Sequence, residues 1–115
     1  MLEKPRFLQG LYPFEGAGLD KPRALSPAVR YVTPADKRAQ FVYLRAGNAA
    51  PEMIYLLMKR DGKPMRYFPV AAKGAIHVPL SVVEDLLPDT ALELEVAAPA
   101  GVKSAVVIDI GLVEI

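Results

Sequence analysis

From residue 29 onward, apolar and polar side chains alternate in short runs that are broken by glycine, proline, asparagine or aspartate at intervals of about ten residues. Seven runs are readable: Val29–Thr33, Gln40–Ala46, Glu52–Lys59, Met65–Val70, Ala75–Leu80, Ala91–Ala98 and Ser104–Ile115. The period is two, because successive side chains of a strand point to opposite faces. Phe41, Tyr43 and Arg45 thus oppose Val42 and Leu44, and Ile76, Val78 and Leu80 oppose His77. Leu92, Leu94 and Val96 are expected inward, with Glu93 and Glu95 outward. Runs of this length and spacing predict an all-β fold, a two-sheet antiparallel sandwich of about seven strands over residues 29–115.

The sharpest local signal is Arg60-Asp61-Gly62-Lys63, an Asp-Gly pair between two alternating runs and so a two-residue hairpin turn, since both residues tolerate positive φ. An uninterrupted hairpin from that turn sets Leu57 opposite Arg66, Leu56 opposite Tyr67 and Tyr55 opposite Phe68. Ser81-Val82-Val83-Glu84 has the spacing of a capping box and predicts one helical turn, ending near Leu87 because Pro88 disfavours the α region before it. Gly111 predicts a bulge in the last strand.

Residues 1–28 read differently. Pro5, Pro13, Pro22 and Pro27, with Gly10, Gly16 and Gly18, forbid a continuous helix or a central strand and predict an irregular extended arm. The arm nevertheless holds Leu2, Phe7, Leu8, Leu11, Tyr12 and Phe14, too apolar for a solvated tail. It is expected to cover its own sandwich or to cross onto a second subunit, with Phe7, Leu8, Leu11, Tyr12 and Phe14 as the candidate oligomer interface.

Leu86-Leu87-Pro88-Asp89-Thr90-Ala91-Leu92-Glu93-Leu94-Glu95-Val96 resembles the corner between the fifth and sixth strands of fibronectin type III and related immunoglobulin-like domains, through Leu86, Pro88, Thr90 and Val96. Leu92 stands at the place of that family's corner tyrosine, and the chain has no tryptophan. The resemblance implies an immunoglobulin-like sandwich that binds or spaces rather than catalyses. A jelly roll is the alternative topology, whose last strand often alternates as Val106-Val107-Ile108-Asp109-Ile110 does.

Composition narrows the functions. At 115 residues the chain is one domain in size. Its 14 Lys and Arg nearly cancel 13 Asp and Glu, so no overall field steers it to nucleic acid or an anionic membrane. The absence of cysteine removes disulfides and thiolate sites, and a single histidine rules out a histidine metal cluster. Asp36, Asp61, Asp85, Asp89 and Asp109 lack the spacing of a calcium loop, and Gly16-Ala17-Gly18 does not lie between a strand and a helix as a phosphate loop would. No metal or cofactor is expected. The N-terminus shows no secretory pattern, which makes the cytoplasm the expected compartment. A hydrophobic share of 52% and a mean hydropathy of +0.21 exceed what a small soluble surface needs, and such surplus commonly goes into an interface.

The candidate ligand-binding residues are Tyr43, Arg45, Asn48, Arg66 and His77. Aromatic faces beside Arg forks stack on sugars and grip anions, Asn48 ends a strand where recognition loops begin, and His77 is the one side chain whose ordinary pKa lies near neutrality. With no nucleophile or orienting carboxylate patterned around His77, catalysis is not expected. The expected function is a non-enzymatic structural or protein-interaction subunit, a homo-oligomer joined through the arm and a sheet surface; the alternative is a module binding a small anionic molecule or a carbohydrate.

Overall fold

A computed structural model describes residues 3–115, apart from the side chains of 81–83. Eight strands follow one another: β1 (Lys4–Glu15), β2 (Arg23–Val32), β3 (Ala39–Asn48), β4 (Ile54–Arg60), β5 (Lys63–Val70), β6 (Ala75–Leu86), β7 (Ala91–Ala97) and β8 (Lys103–Glu114). They form two four-stranded sheets, ordered β1-β8-β3-β6 and β2-β7-β4-β5, and every pairing is antiparallel. The two-sheet sandwich expected from the alternation is therefore the fold. Its strand order is that of a jelly roll, the alternative topology, and not the immunoglobulin arrangement, in which the first two strands are neighbours in one sheet. The corner at residues 86–96 carries the chain from β6 of one sheet to β7 of the other, with Thr90 buried and bonded to Thr33 through their backbones. A proline turn between sheets thus produces the same local sequence in a different topology.

In β7 the alternation fills the core as expected, whereas in β3 Phe41 is buried with Leu44 and does not share the face of Tyr43 and Arg45, because the extra residue Val42 reverses the parity between them. Leu92, Leu94 and Val96 of β7 and Val106, Ile108, Ile110 and Leu112 of β8 belong to one buried cluster between the two layers, and Phe41 and Phe68 pack edge to face with ring centres 6.3 Å apart. Burying each such side chain stabilises the fold by about 1.5–3 kcal/mol before entropy is counted.

Four sequence expectations are corrected by long-range pairing. The segment read as an irregular arm over 1–28 supplies β1 and the start of β2, and β1 pairs in cis with β8 from Lys4↔Glu114 to Glu15↔Lys103. The same alternation runs through it: Leu8, Tyr12 and Phe14 face the core while Phe7 and Leu11 face outward. Leu2 lies outside the described residues. The prolines do keep these strands from the centre of a sheet. Pro5 and Pro13 (β1), Pro27 (β2), Pro64 and Pro69 (β5) and Pro79 (β6) all sit in the four edge strands, while the central strands β3, β4, β7 and β8 carry no proline. A proline cannot donate to a ladder, so each edge is blunted against further strand addition.

The helical turn expected at Ser81–Glu84 is extended backbone inside β6. Its ladder with β3 skips from Tyr43↔Pro79 to Phe41↔Glu84, so the segment is an excursion in a strand; the β-branched Val82 and Val83 suit that better than a helix, and pairing with β3 decides it. The hairpin turn forms as expected, with Asp61 at φ 50° and Gly62 at φ 80°, but its register shifts after Lys59↔Pro64. Met65 bulges, and Leu57 faces Tyr67, Leu56 faces Phe68 and Tyr55 faces Pro69. The reason is parity. An unbroken hairpin would have put Phe68 beside the outward Tyr55, whereas the bulge returns it to the core beside Leu56. Finally, the bulge foreseen at Gly111 lies on the strand opposite it, where Val42 of β3 is the extra residue between Phe41↔Leu112 and Tyr43↔Gly111. Gly111 is glycine for another reason: the Tyr43 ring lies over it, and a Cβ there would run into that ring.

Candidate functional site

The outer face of the β1-β8-β3-β6 sheet brings together Tyr43, Arg45 and His77. Strand pairing lines its side chains into three rungs. The middle rung is Gln9–Asp109–Arg45–His77, flanked by Phe7–Gly111–Tyr43–Pro79 on one side and Leu11–Val107–Gly47–Ala75 on the other.

The middle rung is polar and internally bonded. Gln9 Nε2 donates to Asp109 Oδ1 at 3.0 Å, and the Tyr43 hydroxyl donates to the same oxygen at 2.9 Å. Arg45 Nη1 stands 3.9 Å from Asp109 Oδ2, and its guanidinium carbon lies 5.8 Å from the centre of the Tyr43 ring. The Tyr43 and His77 rings meet edge to face at 6.1 Å. Desolvation, and then the bond to the Asp109 carboxylate, raise the Tyr43 hydroxyl above its usual value, so it stays a donor across the physiological range.

The flanking rungs are apolar and uneven in height. Phe7, Leu11 and Val107 are 56%, 65% and 53% exposed, large side chains with nothing over them among the described residues. On the β3 and β6 side the same rung falls to Gly47 and Ala75, leaving an open depression of about 590 Å³ walled by Val107, Arg45, Asp109 and His77.

The other sequence candidates lie elsewhere. Arg66 is on the opposite sheet, where its Nη2 and Nε reach Glu84 Oε1 at 2.7 and 2.9 Å. That ion pair ties edge strand β5 to edge strand β6 across the open side of the sandwich. Asn48 is buried: its amide nitrogen donates to the carbonyls of Glu52 and Ala71, and its carbonyl oxygen accepts from the Ala50 amide, which pins the β3–β4 loop to the end of β5. Of the proposed interface residues, Phe7 and Leu11 are on the rungs described, and Leu8, Tyr12 and Phe14 belong to the core.

Sequence reasoning missed Asp109, which the pairing of β8 with β3 places beside Arg45, and the Gly47–Ala75 hollow, which exists only because two strands put small residues on one rung. It also missed Glu114, which is 2% exposed and accepts a 2.6 Å bond from the Tyr31 hydroxyl. Arg6 Nε lies 3.3 Å from Glu114 Oε1, an ion pair by distance whose N–H is not aligned as a hydrogen bond. Burial alone would raise the Glu114 carboxyl, but the Tyr31 hydroxyl and Arg6 more than offset it and hold it below 4.5, while desolvation and that same bond push the Tyr31 hydroxyl well above its usual value. The cue was the alternation of β8 itself, which predicts a carboxylate facing inward at residue 114.

No family model matches the chain, and no curated protein matches it. Among solved structures it is similar to the subunit of infectious bursal virus T=1 particles, with 13% identity over 97% of this chain and 31% of that one and a TM-score of 0.48. It is also similar to an exo-β-1,3-galactanase from Phanerochaete chrysosporium, with 12% identity over 100% of this chain and 30% of that one and a TM-score of 0.40. An insecticidal delta-endotoxin from Bacillus thuringiensis matches with 13% identity over 75% and 17% and a TM-score of 0.42. The chain spans less than a third of the length of each of these proteins.

Proposed function

We propose that this protein is a non-enzymatic structural subunit that joins copies of itself through the outer face of the β1-β8-β3-β6 sheet. The observation that carries the reading is that Phe7, Leu11 and Val107, each more than half exposed, stand on one face, on the two rungs that flank its polar middle rung. Large exposed apolar side chains gathered on one face around polar groups mark contact sites on soluble proteins. The prolines of all four edge strands support a face rather than an edge as the contact, because edge-to-edge joining needs the donors that proline lacks. Static light scattering of the chain at high micromolar concentration is expected to give a mass above 12.5 kDa, and Leu11→Glu is expected to weaken association by about tenfold or more. A monomer at that concentration overturns the reading.

The depression beside Val107 supports a second reading, a site for a small anionic molecule or a sugar, since Arg45 and His77 both present donors to a hollow of about 590 Å³. Its test is a thermal-shift panel of carboxylates, phosphates and monosaccharides. Binding is expected to raise the Tm of the chain and to leave the Tm of an Arg45→Ala variant unchanged; a panel in which no compound shifts the Tm removes the second reading.

A further inference from the structure

The association face has a knob half and a hole half, and they are mirror-placed. On β1 and β8 stand Leu11, Val107 and Asp109; on β6 and β3, on the same rungs, stand Ala75, Gly47 and Arg45. Sheet order places these two halves symmetrically about a line running along the strands midway between β8 and β3. Resting on the assembly reading above, we infer that the partner is a second copy, docked face to face about a two-fold axis along that line.

Such an axis turns each rung onto itself end for end. Val107 of one copy then enters the hollow over Gly47 of the other, and Leu11 covers Ala75. The bulk missing on one half is supplied by the excess on the other. On the middle rung Asp109 meets the second copy's Arg45, twice by symmetry. Asp109 Oδ1 is already used by Gln9 and Tyr43, but among the described residues Oδ2 has only the 3.9 Å approach of its own Arg45, which leaves it open to another guanidinium. Arg45 is 59% exposed and projects from the face.

Charge separates this arrangement from the other two-fold available to a flat face, the one running across the strands. That axis would set Asp109 against Asp109 and Arg45 against Arg45, and like charges placed directly opposite one another repel. It would also lay Leu11 and Val107 on Phe7 and Gly111 and leave the hollow over Gly47 to face Tyr43. The along-strand axis is the one in which both shape and charge are complementary. Facing sheets pack about 10 Å apart and nearly aligned, so the rungs of the two copies can remain in register over this short width. Four strands at about 4.8 Å spacing over roughly five residues make a small contact, at the low end for specific interfaces, and dimerisation is expected in the micromolar range.

The test uses two charge reversals, Asp109→Arg and Arg45→Asp, with mass read by light scattering and folding by circular dichroism. Each variant alone is expected to be monomeric at concentrations where the native chain is dimeric, since each places like charges across the axis. An equimolar mixture is expected to recover the dimer, because both cross-axis pairs are then opposite in sign. Gly47→Leu supplies an independent arm: among the described residues a Cβ there meets only Val107 Cβ, at an ordinary 3.9 Å, so the monomer tolerates it while the hollow is filled, and the dimer is expected to weaken at least tenfold. A native chain that is monomeric overturns the assembly reading itself. A native dimer whose reversed variants stay dimeric, whose mixture stays monomeric, or whose Gly47→Leu form associates unchanged overturns this axis and leaves assembly standing. Should a reversal fail to fold, Gly47→Leu decides alone.

Discussion

At the scale of residues, the most consequential side chains are those whose partners come from distant parts of the chain. Glu114 is the clearest case, an acid nearly at the C-terminus that is closed in between Tyr31 and Arg6. Because its folded carboxyl is held below 4.5, the folded state binds its proton less readily than the unfolded chain does. The stability this contributes is complete above the usual carboxylate range and is lost as pH falls through the lowered folded value. Thermal unfolding followed from neutral pH into acid is therefore expected to show a shallower acid loss in Glu114→Gln than in the native chain, with the variant less stable at neutral pH. An equal acid slope in both would show that Glu114 carries none of that dependence. Asn48 teaches the opposite lesson about polar residues at strand ends. It reads as a recognition residue in sequence, yet a buried amide with its donors and acceptor engaged has nothing left to offer a ligand.

At the scale of elements, alternation marked the inward residues of β7 and β8, reversed in β3 at the Val42 bulge, and holds also in β1, where the prolines hid it from the sequence. Leu8, Tyr12 and Phe14 keep strict parity there even though Pro5 and Pro13 lack a backbone donor. What alternation alone could not provide was register. The turn at Asp61-Gly62 and the inward demand of Phe68 disagree by one residue, and only the bulge at Met65 reconciles them. The prolines have an element-scale role of their own. With Pro5 and Pro13 both replaced by valine, β1 gains two donors on an edge of twelve residues and loses its protection against strand addition. That variant is expected to aggregate faster on gentle heating, with a rise in thioflavin fluorescence that the native chain lacks; equal aggregation in both would remove this role.

At the scale of the whole molecule, the connectivity sets neighbours that lie far apart in sequence: β1 with β8, β2 with β7, β3 with β6 and β8. The face proposed for assembly is a product of that connectivity. Gln9, Asp109, Arg45 and His77 come from four strands that span most of the chain, and no local window contains two of them. The surplus of apolar residues, visible in composition, also acquires a location only here: most of it fills the core, Phe7, Leu11 and Val107 stand outside on one face, and Leu19, Val32, Met53, Tyr67 and Leu87 are exposed elsewhere.

By itself the sequence determined the all-β class, the inward and outward parity of most strands, the Asp-Gly turn and the exclusion of the proline-rich segment 1–28 from the centre of a sheet. These are properties of one or a few consecutive residues: a pleat with period two, a backbone that tolerates positive φ, a ring that removes an N–H. Tertiary structure decided the jelly-roll order, the conversion of the arm into an edge strand, the strand in place of a helical turn at 81–84, and the grouping of Asp109 with Arg45. Those depend on which strands pair and in which register, and that choice is made by the summed burial of two sheets, a quantity that no short stretch of sequence carries.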